Sequence, residues 1–428
     1  MSFLSELSRQ YIDGEWLTGD GEWDIIDFNP RNGEKLCSIT VATAAEVDSA
    51  YRAAERAQPE WAGTRPGERR AVLEKAARLL GERHEETAEL IVEELGVSRA
   101  LADHEVRATG RLLRAAAGQT REAVAEFLPS LGDGRENRVY RLPVGVVGVI
   151  GACDFPLAVT ARAVAPALAL GNAVVVKPHQ SAPIAGGTLV ARIFEEAGLP
   201  AGLLNVLVTD SAEIGDSFIE HPVPKVISFT GSDRVGRHVA AVAAGLFKRT
   251  VLELTGGSAL VVLADADLGQ AVHAAVHGRA RFRARHGEVA DGRILVDRSV
   301  EAEFTRRFAA AVSALPAGDP HDQEIAVRPY APESFDGEDE AVRIVNDSPH
   351  ALSGAVHTAD AERGVRFARR IPRGLFHVNG PVERDDPAET HGGGTGFGAG
   401  GLDGPAAMDA FTTRKWISVQ HGRTVFPF

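Results

Sequence analysis

Every residue from Val144 to Gly151 is apolar or glycine, without the alternation of a half-exposed strand. Such a run predicts a β-strand that is buried on both faces, as in a parallel sheet. A short turn follows, and then the alanine-rich segment Pro156–Leu170, which has the composition of a helix. A strand, a tight turn and a helix N-terminus in this order predict a place where a ligand meets backbone N–H groups.

The same alternation continues through the middle of the chain and predicts a doubly wound parallel sheet. The predicted buried strands are Val144–Ile150, Ala173–Lys177, Leu204–Val208, Lys225–Phe229 and Arg249–Glu253. The predicted helices between them are Pro156–Leu170, Ala185–Ala197 and Val235–Ala244.

The segments on either side differ from this central unit. Turn pairs Asp13-Gly14 and Asp20-Gly21 predict β-hairpins within residues 11–40. Thr43–Phe127 is helical in pattern, and its first residues have the spacing of a capping box, Thr43 with Glu46. A second α/β unit follows the central one, with strands predicted at Leu260–Leu263, Arg293–Val296 and Phe376–Asn379 and helices at Asp267–Arg279 and Glu301–Ala314. The closing segment Thr412–Gln420 predicts a β arm.

Composition narrows the class of protein. A chain of 428 residues is long enough for two or three domains, and its formal net charge of −13 argues against a nucleic acid or an anionic membrane as partner. Cys37 and Cys153 are the two cysteines, which suits a reducing compartment and excludes a disulfide framework. Residues 1–10 lack a signal-peptide pattern, and no apolar run approaches about 18 residues. We therefore expect a cytoplasmic protein.

Four segments carry candidate chemistry. They are Pro143–Leu157, the strand end Val175–Pro178 with its lysine, the glycine turn Phe229–Gly236, and Leu252–Gly257 with its carboxylate. A strand–glycine–helix turn can hold a pyrophosphate on backbone N–H groups. Each segment alone is a weak signal, whereas the four in this order and spacing are specific.

In that order the segments closely resemble the NAD(P)-dependent aldehyde dehydrogenase superfamily. The resemblance extends over nearly the whole chain, from Asn29-Pro30 through His377-Val378-Asn379 to Trp416–Gln420. The last run looks most like the aromatic-aldehyde branch, the vanillin- and benzaldehyde-type members.

The resemblance implies an aldehyde dehydrogenase-like α/β fold in three parts. These are a Rossmann-type dinucleotide-binding domain (1–122 and 143–254), a shortened catalytic-type α/β domain (255–411), and a β arm for dimerisation (123–142 and 412–428). It also implies a homodimer or homotetramer that acts on an aldehyde or another carbonyl compound.

The resemblance further implies a cofactor, NAD or NADP. Lys177 would bind the adenosine ribose, and Glu253 would be the general base. Gln180 stands where many NAD-preferring members have a glutamate, so its neutral side chain leaves NADP open. The predicted cofactor-binding residues are Ile150, Lys177, Gln180, Gly231, Ser232, Val235, Gly236 and Glu324.

Three departures from the family pattern concern the chemistry. The segment Arg285–Gly292 carries Glu288 where the family has its nucleophilic cysteine, which forms a thiohemiacetal and then a thioester. Asp154 replaces the asparagine that donates to the oxyanion. Loss of one such donor costs about 10²–10³ in turnover, and like charges about 4 Å apart repel by roughly 4 kcal/mol at an effective dielectric near 20. Roughly sixty residues of the catalytic domain are also missing before Glu324, judged from the resemblance.

Several roles for these residues stay open. Cys153 is either a relocated nucleophile, since a helix N-terminus activates a thiol, or a small residue in place of tryptophan. Asp154, Glu253 and Glu288 could form an acidic pocket for an amine or a metal, or supply acid–base chemistry, or be drift on a retained fold. His286 and His391 could join that pocket or be surface residues. No metal site is predicted.

Three hypotheses for function follow. The first, and the one we favour at this stage, is a divergent family member that has lost cysteine-based oxidation and either performs altered carbonyl chemistry or is inactive. The second is a working NAD(P)-dependent aldehyde oxidoreductase with Glu253 as base and Cys153, or a direct hydride route, in place of the usual thiol. The third is a structural or regulatory partner subunit. Under the first, the candidate catalytic positions Glu253, Asp154, Glu288 and Cys153 no longer perform ordinary thiol chemistry.

Overall fold

The computed structural model describes residues 3–120, 126–128, 135–254, 257–281, 293–314, 332–347, 351–372, 375–381 and 398–421. The strands in these ranges are β1 (Gln10–Ile12), β2 (Glu15–Leu17), β3 (Asp24–Phe28), β4 (Lys35–Thr40), β5 (Glu126–Leu128), β6 (Arg135–Pro143), β7 (Val146–Ile150), β8 (Ala173–Lys177), β9 (Leu204–Val206), β10 (Val226–Gly231), β11 (Arg249–Leu254), β12 (Gly257–Val262), β13 (Arg293–Asp297), β14 (Glu333–Phe335), β15 (Ala351–His357), β16 (Leu375–Val378), β17 (Gly398–Ala399) and β18 (Thr412–Gln420).

The helices in the same ranges are α1 (Phe3–Leu7), α2 (Ala44–Gly63), α3 (Pro66–Glu82), α4 (His84–Leu95), α5 (Arg99–Gln119), α6 (Pro156–Ala169), α7 (Leu189–Ala197), α8 (Ser211–Ile214), α9 (Ser217–Glu220), α10 (Asp233–Gly245), α11 (Leu268–Arg281), α12 (Glu301–Ser313), α13 (Glu338–Asp347), α14 (Ala361–Ala368) and α15 (Gly404–Phe411). A π-helical turn, Ile184–Thr188, leads directly into α7.

An eight-stranded sheet forms the centre, in the order β17-β11-β10-β7-β8-β9-β1-β2. Strands β7 to β11 are parallel, while β17 and β1 pair antiparallel at the two sides. The predicted doubly wound sheet is therefore confirmed, with most strand ends within two residues of their predicted positions. Helix α2 packs closely against β7 at Gly148, where a side chain would not fit. A Cβ at this position would lie 2.5 Å from the Tyr51 hydroxyl of α2.

The N-terminal predictions are largely confirmed. Strands β1 and β2 form the antiparallel hairpin predicted at Asp13-Gly14. The hairpin predicted at Asp20-Gly21 is wrong, because β2 and β3 belong to different sheets, and the second hairpin joins β3 to β4 through residues 29–34. Thr43 caps α2 in a capping box, in which the Glu46 carboxylate accepts from the Thr43 N–H at 2.9 Å. The helical prediction extended too far, because Glu126–Leu128 forms a strand that pairs with β6.

The second sheet has five parallel strands, in the order β14-β13-β12-β15-β16. One apolar cluster includes Val261, Leu295 and Phe367, and another includes Val262, Val296 and Phe304. Neighbouring residues of β12 and β13 enter different clusters because successive side chains of a strand point to opposite faces. The predicted second α/β unit is thus present.

The third sheet is the predicted arm. Strand β18 begins and ends as predicted and pairs with β6 along its whole length, from Thr412 opposite Pro143 to Gln420 opposite Arg135. Strand β6 lies almost entirely in the segment 123–142 that the resemblance assigned to the arm, although its polar residue pattern by itself predicted no strand there. The arm exposes large apolar side chains, and Trp416 has 67% of its surface accessible.

Candidate active site

The order of the strands creates a crevice beside β7. From β7 the chain moves to β8 and β9 on one side, whereas β10 and β11 lie on the other side. The connections after β7 and β10 therefore leave the sheet in opposite directions, and in such sheets ligands bind outside the carboxyl ends at this point. The turn after Ile150 and the turn at Gly231-Ser232 border the crevice.

The Gly231–Gly236 turn fits a pyrophosphate. Ser232 is the N-cap of α10 and makes no side-chain capping bond, so first-turn N–H groups are not taken up by that side chain. Gly236 lets α10 lie against β11, because a Cβ there would be 2.2 Å from Leu254 Cδ2. Val235 is half-buried beside it.

The other predicted cofactor residues lie at the same edge. Ile150 pairs with Lys177 of β8 on one side and with Phe229 of β10 on the other. Burial lowers the pKa of Lys177, while the nearby charge of Asp210 acts in the opposite direction. Gln180 is exposed in the turn that follows β8. The structure thus brings Ile150 and Lys177 together beside the glycine turn.

The turn after β7 carries Cys153 and Asp154 and is built tightly. Cys153 is half-buried and Asp154 is 7% exposed. Phe155, the N-cap of α6, has a left-handed backbone with φ of 47° and offers no side-chain cap.

A residue that the sequence analysis missed supplies the missing cap. The buried carboxylate of Glu105 on α5 accepts hydrogen bonds from the N–H groups of Leu157 (2.8 Å) and Ala158 (3.2 Å). Burial raises the pKa of Glu105 to about 7, and the charge of Asp154 also acts to raise it. The two backbone hydrogen bonds act in the opposite direction and lower the pKa. The carboxyl group of Glu105 therefore occupies the end of α6, whose N–H groups the sequence analysis considered as one of two explanations for Cys153.

Glu253 lies beside Arg162, which in turn pairs with Asp403, and the sequence analysis missed both of these residues. The guanidinium of Arg162 on α6 lies with its Nε 3.9 Å from Glu253 Oε1 and 2.8 Å from Asp403 Oδ2. The Arg162 Nη2 donates to the same Asp403 oxygen. Arg162 is the one charged residue in the sequence of α6, which could have marked it as a candidate functional residue. Asp403 lies 241 positions away, and nothing in the sequence indicated that it pairs with Arg162.

Other predicted positions cannot be compared with the structure. Glu288, Glu324, His286 and His391 lie outside the described residues. The predicted acidic pocket is therefore represented by Asp154 and Glu253 alone. Within the described ranges, no group of three or more His, Cys, Asp or Glu residues is placed to hold a metal ion.

The model of the aldehyde dehydrogenase family matches residues 16–334 and 331–417. This chain belongs to that family. The predicted aldehyde dehydrogenase-like fold is confirmed, and the expected binding of NAD or NADP agrees with the family. In the described part of the chain, no helix has the length and apolar character needed to span a membrane.

Aromatic-aldehyde dehydrogenases are among the relatives of this family member. Benzaldehyde dehydrogenase YfmT of Bacillus subtilis is 41% identical over 481 aligned residues, which cover 99% of each chain. A vanillin dehydrogenase of Corynebacterium glutamicum is 35% identical, covering 97% of this chain and 98% of its own. The crystal structure of a NAD-dependent benzaldehyde dehydrogenase from Corynebacterium glutamicum superposes with a TM-score of 0.88, at 33% identity, over 99% of this chain and 98% of its own.

These relatives correct the favoured hypothesis. The prediction that the chain has lost aldehyde oxidation, and performs altered chemistry or is inactive, is wrong. Relatives named as benzaldehyde and vanillin dehydrogenases align with it from end to end, which points to a functional aldehyde dehydrogenase. The prediction failed because it weighed one short segment around Glu288 above the whole chain, which also has a cysteine, Cys153, at the crevice. The findings favour the second hypothesis over the first.

Proposed function

We propose that this protein is an NAD(P)-dependent aldehyde dehydrogenase that oxidises aromatic aldehydes of the benzaldehyde and vanillin type to carboxylic acids. The observation that carries the proposal is the placement of the Cys153 turn and of Glu253 at the carboxyl end of one parallel sheet, beside the crevice. The names of the relatives supply the substrate class.

The crevice is where the cofactor would bind. Lys177 would hold the adenosine ribose, and the first turn of α10 with Gly231 and Ser232 would hold the pyrophosphate. Exposed Gln180 would accept either NAD or NADP, because it carries no charge to repel a 2′-phosphate. NAD(P) would supply the acceptor for the hydride that the aldehyde carbon loses.

Cys153 is the nucleophile in this proposal. Its thiolate sulfur, which the last step of the reaction regenerates, bonds to the carbonyl carbon, the π electrons move to the oxygen, and the anion of a thiohemiacetal forms. Loss of the hydride restores the C=O bond and leaves a thioester on the sulfur. No other cysteine is available near this edge, since Cys37 is on β4 and the segment Arg285–Gly292 has none.

Glu253 is the general base for the second half of the reaction. Its carboxylate takes a proton from water, the hydroxide oxygen bonds to the thioester carbon, and the C–S bond breaks to release the acid and the thiolate. The guanidinium of Arg162 lies beside this carboxylate, with its Nε 3.9 Å from Glu253 Oε1. The charge of Asp154 contributes to the raised pKa of Glu105 on α5, and a catalytic role for Asp154 stays a prediction.

The domain and oligomer predictions are carried forward as part of this proposal. The dinucleotide-binding domain, the catalytic-type domain and the arm have the residue boundaries that the sequence analysis gave. A shortened catalytic-type domain is supported by the alignment length of 481, which exceeds the 428 residues of this chain, and by the break of the family match at 331–334. Exposed Trp416, Ile417 and Leu142 on the arm support a homodimer or homotetramer. A cytoplasmic location remains a prediction.

The test is NAD(P)H formation from benzaldehyde and vanillin, followed by absorbance. We expect turnover with at least one cofactor and a loss of at least about 10³ in Cys153→Ala, because the nucleophile is removed. Cys37→Ala is the matched control, since burial raises the pKa of that thiol to about 11 and it lies on a different sheet. Absence of turnover with either cofactor would overturn the function, and full activity in Cys153→Ala would overturn the nucleophile alone.

A further inference from the structure

Three charged side chains meet between α6, β11 and the start of α15. Arg162 donates from Nε (2.8 Å) and from Nη2 to one oxygen of Asp403. The same Nε lies 3.9 Å from Oε1 of Glu253, which is ion-pair distance but too long for a hydrogen bond. A guanidinium Nε carries a single N–H, and here Asp403 accepts it. Asp403 therefore occupies a donor that also lies near Glu253.

The three side chains are shielded from water. Asp403 is 2% exposed, Glu253 is 12% exposed and Arg162 is 14% exposed. Charges in such positions are weakly screened, and a buried ion that loses its partner carries a large energetic penalty. If Asp403 lost its charge, Arg162 would therefore turn to the carboxylate at 3.9 Å, that of Glu253.

The contact with Arg162 replaces the usual role of an aspartate at this position. Asp403 is the N-cap residue of α15, where the side chain ordinarily accepts from first-turn N–H groups and contributes about 1 kcal/mol. Here the side chain makes no capping bond. A neutral side chain at position 403 would therefore remove the pair with Arg162 without removing a helix cap.

The sheet separates Glu253 from the charged groups of α10. Leu252 and Leu254 pack with Val239 of α10 in one apolar cluster, so Glu253, which lies between them on β11, points to the opposite face. The neighbouring strands β10 and β17 contain no charged residue. On the face of Glu253, Arg162 is the one charged residue that α6 contributes.

The charged groups near α15 and β7 have other partners or positions. Asp409 of α15 pairs with Arg141, and Arg249 at the start of β11 donates to backbone oxygens at the end of α15. Asp154 follows β7, which is separated from β11 by β10. Within the described ranges, the ion pair of Glu253 is with Arg162. Asp403 therefore acts on Glu253 through this guanidinium.

A general base needs a carboxylate that can accept a proton, and a guanidinium that donates to it favours the ionised form instead. We infer that Asp403 is a positioning residue, which holds Arg162 in hydrogen bonds and keeps it from donating to Glu253, so that this carboxylate can take the proton of the attacking water. The inference rests on the proposed function, because it takes Glu253 as the general base. It adds to that function the residue that keeps the base active.

A titration tests the contact without any turnover. The carboxyl C=O band of Glu253 is followed against pH by infrared spectroscopy, as the difference between each protein and the same protein carrying Glu253→Gln. We expect Asp403→Asn to lower the pKa of Glu253 by at least about one pH unit relative to native protein, because Arg162 then donates to it. Asp409→Asn is the matched control, since its exposed side chain lies on the same helix. An unchanged pKa in Asp403→Asn overturns the inference.

Hydrolysis of 4-nitrophenyl benzoate tests the consequence for the base, and it needs no cofactor. The Cys153 thiolate bonds to the carbonyl carbon and 4-nitrophenolate leaves, which gives a thioester. Water then cleaves the thioester as Glu253 takes its proton and the C–S bond breaks. We expect Asp403→Asn to keep the rapid first release of nitrophenolate and to slow the steady rate by about tenfold, because the base is weakened but not removed. The acid limb of the steady rate should move to lower pH, which a loss of packing would not cause.

A second substitution separates charge from packing. Arg162→Gln together with Asp403→Asn removes both charges, so the net charge beside Glu253 is zero as in the native pair, and the pKa and the steady rate should return toward native values. A double variant as slow as Asp403→Asn overturns the inference. Asp403→Ser serves as the neutral variant if Asp403→Asn does not fold. Native protein that forms no thioester would overturn the proposed function, whereas the titration judges the contact by itself.

Discussion

The crevice beside β7 and the charged cluster around Arg162 are built in different ways. The crevice is made of strand ends, glycines and a helix N-terminus, so backbone geometry shapes it. The cluster is made of side chains from α6, β11 and the start of α15, which meet across more than two hundred positions of sequence. Folding of the sheet is enough to form the first, whereas the second depends on each charged group. Single substitutions should therefore change chemistry at the cluster and stability at the crevice.

The largest expected effect is that of Glu253→Gln. The amide keeps the size of the side chain but cannot take a proton from water, so kcat should fall by about 10²–10⁴. The melting shift produced by NAD or NADP should remain, because the crevice is unchanged. The exposed Glu303, paired with Arg306 and Arg307, gives a control in Glu303→Gln. A parallel loss of cofactor binding would show that cluster and crevice are not separate.

The second effect tests Glu105, which joins the two regions. Its pKa is about 7 in the folded protein and near 4.5 when unfolded, so the folded state holds the proton more firmly. The unfolded state then binds fewer protons between pH 4.5 and 7, and the free energy of unfolding should fall as pH rises through that window, by up to about 3 kcal/mol. In Glu105→Gln this part of the slope should disappear.

Urea unfolding at several pH values measures that slope. Glu94 is also buried, and burial and the charge of Asp27 raise its pKa, so it contributes a slope of its own in both proteins. The comparison is therefore between native protein and variant at each pH. Identical slopes would mean that Glu105 does not titrate in this window.

The smallest effect is expected at the crevice, in Gly236→Ala. The added methyl would lie 2.2 Å from Leu254 Cδ2, and relief of this overlap should cost about 1–3 kcal/mol of stability. Gly245→Ala is the matched control, because it lies on the same helix and a Cβ there meets no atom within 4 Å. A lower urea midpoint for the first variant only, with kcat at saturating cofactor nearly unchanged, would sharpen the contrast between the regions.

The fold followed from local patterns where residues nearby in sequence determine the structure. Unbroken apolar runs marked β7 and β8, and the capping box marked the start of α2. Strand β6 was assigned to the arm by the family resemblance alone, because its largely polar residues show no buried face and its partner β18 lies far away in sequence. The pattern of neighbouring residues gives no information about strand pairing over such a distance.

Among the residues of the candidate site, those within local motifs were predicted, and those that meet only in the folded chain were missed. Lys177 and the Gly231 turn were predicted from motifs and lie together at the sheet edge. Arg162 and Asp403 were missed because their pairing is a property of the folded chain. The activity was judged wrongly because the absence of a cysteine near Glu288 was given more weight than the family-wide similarity of the remaining chain.

The last described segment, residues 398–421, limits where this protein can be truncated. Strand β17 covers the edge of β11, Asp403 pairs with Arg162, and α15 passes into β18 without a linker. Truncation before residue 398 would uncover a sheet edge that can pair with other chains, and would remove Asp403 and strand β18 in the same step. Shortened versions of this enzyme should therefore be made elsewhere in the chain, and this segment should be kept whole.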